Sequence, residues 1–202
     1  MIFKLLIASL ISFILIMLDV IFDGLLTKID NIIYPTIIEY HTSLLDTIML
    51  KITTLGNILY MLIFSGVISI ILWLKKDYLS IKFFLSSIIG SSILMSGLKE
   101  LIGRVRPQNY VMDMFQQGFS FPSGHASASM ALSLALFFII YPQISKISQG
   151  FLIIILGIFT ISISISRVYF GVHYLSDVMG GTILSIFWVL FMVWTFKLDK
   201  LK

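Results

Sequence analysis

The sequence predicts an all-α integral membrane protein with six transmembrane helices, organised as one domain over residues 1–202. Three observations predict it. The mean hydropathy is +1.04, with 58% hydrophobic and only 12% charged residues, far too apolar for an ordinary soluble domain. Six apolar runs, at 3–22, 53–74, 78–98, 125–143, 147–166 and 178–196, each approach the roughly 20 residues that a helix needs to cross the hydrocarbon core. Within those runs Leu, Ile and Phe follow one another continuously; a membrane barrel would alternate with period two.

The first run begins with Lys4, as a secretory signal does, but no small-residue cleavage site follows it. Asp19, Asp23 and Gly24 end it, so the run is expected to be retained as the first helix. An amphipathic stretch from Asp23 to Lys51 is expected in the membrane interface, ahead of the second and third spans. Between the third and fourth spans, residues 99–122 carry Gly103, Pro107, Gly118 and Pro122 as breakers and Phe115, Phe119 and Phe121 as apolar contacts. This segment too is expected along the interface. The methionines, Met112 and Met114 included, read as adaptable packing. Gly97, Gly180 and Gly181 read as places where helices approach closely.

The chain has no cysteine, which excludes disulfides and thiolate metal sites. A net charge of +4, spread along the loops with no dense basic run, argues against nucleic-acid binding. Charge also orients the chain. With the N-terminus inside, Lys4, Lys75, Lys76, Lys82, Lys146, Lys197, Lys200 and Lys202 collect in the cytoplasm, against Lys28, Lys51, Lys99, Arg104, Arg106 and Arg167 outside. If Lys99, Arg106 and Arg167 are held in a site, the bias is eight against three, and both termini are expected in the cytoplasm. The end of the third helix, the start of the fourth and the junction of the fifth and sixth then share the outer face.

Those three places hold the polar clusters. Lys99 and Arg106 are seven residues apart, and a helix continuing two turns past Lys99 would point both at one anion, with Pro107 ending it. Arg104, off that face, is expected to be an interfacial cation of little consequence. Pro122-Ser123-Gly124-His125 stands immediately before an apolar helix, where Ser123 (through hydroxyl and N–H) and the Gly124 amide can cradle an anion, and His125 can supply a proton. His173 and Asp177 are four apart, so on one helical face the carboxylate would hold one ring nitrogen and free the other for attack. Arg167 would not share that face, but a turn at Gly171 would let it reach the same anion. Each cluster alone has a structural explanation in snorkelling, helix capping or a satisfied core histidine. Charged groups at membrane depth cost a few kcal/mol each, and three clusters on one side ask for a common purpose. His41, with no second His or Cys beside it, is expected to be solvated.

In this order, Lys-x6-Arg-Pro, Pro-Ser-Gly-His and Ser-Arg-x5-His-x3-Asp resemble the complete signature of the type-2 phosphatidic acid phosphatase superfamily, over 99–177, and in particular its small bacterial phosphatidylglycerophosphatase B-like members. The resemblance implies a six-helix membrane phosphatase that works through a phosphohistidine and needs no metal or other cofactor. It implies His173 as nucleophile, Asp177 as the group raising its basicity and His125 as the acid for the leaving oxygen. Lys99, Arg106, Ser123, Gly124 and Arg167 are implied as the phosphate cradle. The implied substrate is a lipid phosphate or pyrophosphate (phosphatidylglycerophosphate, phosphatidic acid or undecaprenyl pyrophosphate), entering sideways from the outer leaflet of the cell membrane. A transporter or binding protein for such lipids, without turnover, would need the cations but not the two histidines and Asp177.

Overall fold

The computed structural model describes residues 1–107 and 118–198. Met112, Met114 and Phe115 lie outside the described residues. Among those described there are eight α-helices and no strand: α1 (Ile2–Ile21), α2 (Leu25–Ile38), α3 (Ser43–Leu55), α4 (Ile58–Leu74), α5 (Tyr78–Ile102), α6 (Gly124–Ile140), α7 (Lys146–Tyr169) and α8 (Leu175–Thr195), with a 3-10 turn at Tyr141–Gln143 after α6. The helices α1, α5, α6 with its 3-10 turn, α7 and α8 are each long and apolar enough to cross a membrane. The pair α3 and α4, bent by 49° at the intervening residues, is long and apolar enough only when taken together, and is the candidate for the sixth span. The expected run 53–74 is therefore broken near its start. Gly56 ends α3 and Asn57, in extended backbone, begins α4 without capping it through its side chain.

The interfacial stretch 23–51 folds into α2 and the first part of α3. Asp19, near the end of α1, accepts the N–H groups of Leu26 and Thr27 at 3.1 Å each, supplying the exposed first turn of α2 with acceptors and with negative charge. Thr42 caps α3 by accepting from Leu45 N–H at 3.3 Å.

The central element is α6, packed against α5, α7 and α8. Its buried face carries Leu132 and Ile139 among Ala126, Ser127, Ser129, Ala131, Ser133 and Ala135, small residues that let helix backbones approach where no hydrophobic force between helices operates. Hydroxyls then bind the helices together. Ser91 of α5, Ser127 of α6 and Ser185 of α8 lie 2.7–3.2 Å from one another, and Thr160 of α7 donates to Ser133 at 2.9 Å. Large apolar side chains such as Ile14, Leu62, Ile93, Ile154 and Ile158 project outward, as a lipid-facing surface requires.

This arrangement brings the C-terminal ends of α5 and α7 and the N-terminal ends of α6 and α8 to one end of the bundle. The close approach depends on two glycines of α8. A Cβ on Gly181 would stand 2.4 Å from the Ser123 carbonyl oxygen, and one on Gly180 would stand 2.4 Å from the Phe121 ring. Gly97, by contrast, has open space beside it and makes no such approach. Gly181→Ala should therefore destabilise the protein by about 1–3 kcal/mol and impair the site, while Gly97→Ala leaves both intact. Thermal unfolding in detergent, read beside the phosphatase activity that the resemblance implies, checks the pair.

Candidate active site

The end of α5 differs from the helical extrapolation. Lys99 lies in the last turn, but Gly103 adopts a left-handed conformation (φ +64°) and closes the helix four residues later. Arg104 and Arg106 belong to the non-helical strand of chain that follows, so Lys99 and Arg106 do not share a helix face. They meet by another route. The chain returning from Gly118 runs alongside residues 104–106: Ser120 N–H donates to the Arg104 carbonyl at 2.7 Å, and Arg106 Nε donates to the Gly118 carbonyl at 2.9 Å. Lys99 Nζ donates to the Phe119 carbonyl at 2.8 Å. Both cations are thus aimed by the backbone of the segment leading into α6.

Ser123 is the N-cap residue of α6, yet its side chain makes no capping bond. Its hydroxyl is fully buried and has no protein partner. Its N–H, expected to face the anion as well, is instead donated to the Asp177 carbonyl at 3.0 Å, which ties the start of α6 to α8. Gly124 opens the helix with an N–H that no earlier turn can accept. His125 follows, its Nε2 2.9 Å from Asn57 Oδ1. The break between α3 and α4 thus serves His125: Asn57 orients the ring, and Gly56 leaves room for it, since a Cβ there would meet His125 Cδ2 at 2.7 Å.

Between α7 and α8, Gly171 (φ +64°) reverses the chain so that Arg167 and His173 face one another, as the turn at that glycine suggested. His173 lies before α8 and not on it. Asp177 sits at the third position of the helix and reaches back, accepting Tyr174 N–H at 2.8 Å, with Oδ2 3.5 Å from His173 Nδ1. Ser120 fills that long contact: its hydroxyl donates to Asp177 Oδ2 at 2.5 Å and stands 3.3 Å from His173 Nδ1. On the other ring nitrogen, Arg106 Nη1 lies 3.1 Å from Nε2 while also donating to the Val172 carbonyl at 2.8 Å. Since the guanidinium can only donate, Nε2 holds a lone pair and Nδ1 carries the proton, a tautomer assigned from these partners. Burial pushes the His173 imidazole down to about 3, and the positive charges of Arg167 and Arg106 act in the same direction. The ring is neutral near pH 7, with its free lone pair at Nε2.

Arg167 is completely buried. Its Nη1 donates to Thr53 of α3 at 2.7 Å, but Nε and Nη2 have no protein partner. Lys99, Arg106 and Arg167 repel one another across the site, and all three act on His125. Two buried guanidinium donors and a buried hydroxyl without acceptors, beside a neutral histidine, form a site shaped for an anion, since leaving such groups unmatched costs about 1–3 kcal/mol each. Among the described residues no three His, Cys, Asp or Glu side chains are grouped to hold a metal ion.

Two further expectations are overturned. Arg104 is no idle interfacial cation: its Nη1 donates to Asp177 Oδ1 at 2.5 Å and to Ser176 Oγ at 2.6 Å, its Nη2 donates to Asp30 at 2.9 Å, and its guanidinium lies 4.3 Å from the Tyr174 ring centroid. Its sequence position, judged on a helix that stops at Ile102, gave the wrong direction. His41 is not solvated either; its Nδ1 lies 2.7 Å from Asp46 and its Nε2 2.9 Å from the Tyr169 carbonyl. Ser120, Asp30, Thr53 and Asn57 carried no signal of their own, although Ser120 lies two residues before the Pro-Ser-Gly-His run.

Comparison with known proteins shows the family. The family model of the PAP2 superfamily matches residues 80–200. The chain is 31% identical over 178 residues to phosphatidylglycerophosphatase B of Bacillus subtilis, covering 86% of each chain. It is 29% identical over 156 residues to the undecaprenyl-diphosphatase BcrC of the same organism, covering 74% of each. The fold superposes on the crystal structure of a transmembrane PAP2-type phosphatidylglycerolphosphate phosphatase from Bacillus subtilis with a TM-score of 0.86 and 27% identity, over 98% of this chain and 97% of that one. The chain thus belongs to the PAP2 superfamily, among its membrane lipid phosphatases.

Proposed function

We propose that the site hydrolyses the phosphomonoester or pyrophosphate of a membrane lipid, with His173 as nucleophile and His125 as acid and then base. The observation that carries this reading is the set of buried donors without partners, Arg167 Nε and Nη2 and Ser123 Oγ, beside the Nε2 lone pair of His173. Phosphoryl transfer asks a protein chiefly for in-line positioning and for positive groups around the equatorial oxygens. Lys99, Arg106 and Arg167, with Ser123 Oγ and the first N–H groups of α6, supply these. As the phosphoryl group enters, Arg106 moves its Nη1 from His173 to a phosphate oxygen. His173 Nε2 then bonds to phosphorus while the bond to the leaving oxygen breaks, and His125 gives that oxygen a proton. Nδ1–H, turned toward Ser120 and Asp177, steadies the positive charge on the ring. A water, deprotonated by His125, attacks the phosphohistidine; the N–P bond breaks and inorganic phosphate leaves.

The leaving group's place is supported by a groove of about 660 Å³ between α4, α5 and α6, lined by Met61, Ser65, Ile88, Ser92 and Met95, with His125 and Gly124 at its head. A lipid chain lying in it would bring its ester oxygen to His125, the residue that must protonate it. Phosphatidylglycerophosphate, phosphatidic acid and undecaprenyl pyrophosphate are the candidate substrates, the first and third after the relatives' names. We further propose that the whole chain acts as one domain in the cell membrane, both termini cytoplasmic and the site on the extracytoplasmic face. The charge bias and the helix ends sharing one end of the bundle support that orientation.

Purified protein with excess EDTA should release phosphate from this lipid panel and yield an acid-labile, base-stable phosphoenzyme that His173→Ala abolishes. Label retained by that variant would refute the assignment. Lys99→Ala, Arg106→Ala and Arg167→Ala should each lose about 2–4 kcal/mol of transition-state stabilisation, roughly 30- to 1000-fold in rate, with weakened orthovanadate inhibition. The natural absence of cysteine permits a topology test. Glu39→Cys should react with an impermeant maleimide in intact cells and Lys75→Cys only after permeabilisation; the reverse pattern inverts the orientation.

A further inference from the structure

The geometry points to Asp30 of the outer helix α2, acting through Arg104, as a positioning residue for Asp177 and thereby for His173. This rests on the mechanistic reading above and extends it to residues outside the three signature clusters. Asp30 is a carboxylate with 2% of its surface exposed, on a helix otherwise lying over the outer end of the bundle. A buried carboxylate there needs a purpose, because desolvating one costs several kcal/mol unless it is paired and hydrogen-bonded. Asp30 is paired on every side. Oδ1 accepts Ser176 N–H, an otherwise unmatched donor of the first turn of α8, at 3.0 Å; Oδ2 accepts the Ser176 hydroxyl and, at 2.9 Å, Arg104 Nη2. Arg104 then spends Nη1 on Asp177 Oδ1 at 2.5 Å.

The consequence is a division of labour within the Asp177 carboxylate. Oδ1 is given to Arg104, so Oδ2 remains for Ser120, Tyr174 N–H and His173 Nδ1. The guanidinium holds this geometry because its two amino groups face two carboxylates, one fixed on α2 and one on α8. If the Asp30 charge is removed, Arg104 has one buried anion left. Both amino groups turn to Asp177, drawing Oδ2 away from Ser120 and His173 and leaving Nδ1–H poorly held as the ring becomes cationic. Asp30 touches neither phosphate nor imidazole, so its effect runs entirely through Asp177.

A double-mutant cycle tests this, using phosphate release from phosphatidic acid in mixed micelles. Asp30→Asn keeps the shape and the acceptor for Ser176 N–H. It should lower kcat by about 10- to 100-fold with KM little changed, the size expected when the transition state forfeits one charge-assisted hydrogen bond. Combined with Asp177→Asn it should add less than about threefold, because both changes remove the same support. Multiplicative losses in the double variant, or an unaffected Asp30→Asn enzyme, overturn the inference. If Asp177→Asn alone is harmless, the mechanistic reading itself fails, a separate outcome. Should Asp30→Asn not fold, as judged by thermal unfolding, Arg104→Lys replaces it in the same cycle. Its single ammonium keeps the charge but cannot bridge both carboxylates, so the same non-additivity is expected, and additive losses refute it.

Discussion

The carboxylate of Asp177 is the joint on which the site depends. Its two oxygens and its main-chain carbonyl tie together four pieces of chain that are far apart in sequence: Arg104 after α5, Ser120 and Ser123 before α6, His173 after α7, and the first turn of α8. A fully buried carboxylate is tolerable only because both its oxygens accept hydrogen bonds and a guanidinium lies against it. The same logic sets the charge of the whole site. Lys99, Arg104, Arg106 and Arg167 stand against Asp30 and Asp177, and four cations less two carboxylates, with a neutral His173, leave two positive charges before the proton that His125 carries as the proposed acid. Arg104 is spent inside the protein; in the proposed mechanism Lys99, Arg106 and Arg167 turn to the substrate, the donors of Arg167 that have no protein partner above all.

Helix direction makes this economical. The C-terminal ends of α5 and α7, where partial negative charge gathers, carry Lys99 and Arg167 in their last turns. The N-terminal ends of α6 and α8, where partial positive charge gathers, carry the Ser123 hydroxyl and the Asp177 carboxylate. Each charged residue sits at the helix end that favours it, and the four ends meet because an antiparallel bundle brings alternate termini together. The small-residue face of α6 and the glycines of α8 let them meet closely enough for side chains of ordinary length to converge.

The spans and the three clusters were legible in the sequence because they rest on local signals: apolar runs of membrane length, a Pro-Ser-Gly-His before an apolar stretch, a His four residues from an Asp. Even there the local geometry differed. A spacing of seven suggested a shared helix face for Lys99 and Arg106, but a glycine in left-handed conformation ends α5 first, and the returning chain from Gly118 brings Arg106 to His173 instead. The same break sends Arg104 inward. A spacing of four suggested that His173 and Asp177 share a helix, whereas the helix begins between them and the contact is made by a carboxylate reaching back over a helix start, with Ser120 closing the gap. Gly180 and Gly181 were read rightly as close approaches and Gly97 was not, because lipid-facing and helix-facing glycines look alike in a continuous apolar run.

What the sequence hid has a common origin. Asp30 supports Arg104, Thr53 supports Arg167, and Asn57 orients His125; all three come from the first 57 residues, ahead of the segment 80–200 that carries the family match. The groups that touch phosphate in the proposed mechanism, by contrast, all fall within 99–177. Reacting groups must sit at fixed helix ends and so leave regular spacings, but a supporting side chain needs only to arrive at the right atom, and a bent helix pair or an interfacial helix can deliver it from any register. The break at Gly56–Asn57 illustrates this: within a single apolar run it carries no chemistry, and its meaning emerges only when α6 places His125 against it. In the proposed mechanism the N-terminal helices are therefore part of the site in the physical sense: their three polar side chains hold the Arg167 guanidinium, the second amino group of Arg104 and the His125 ring in place.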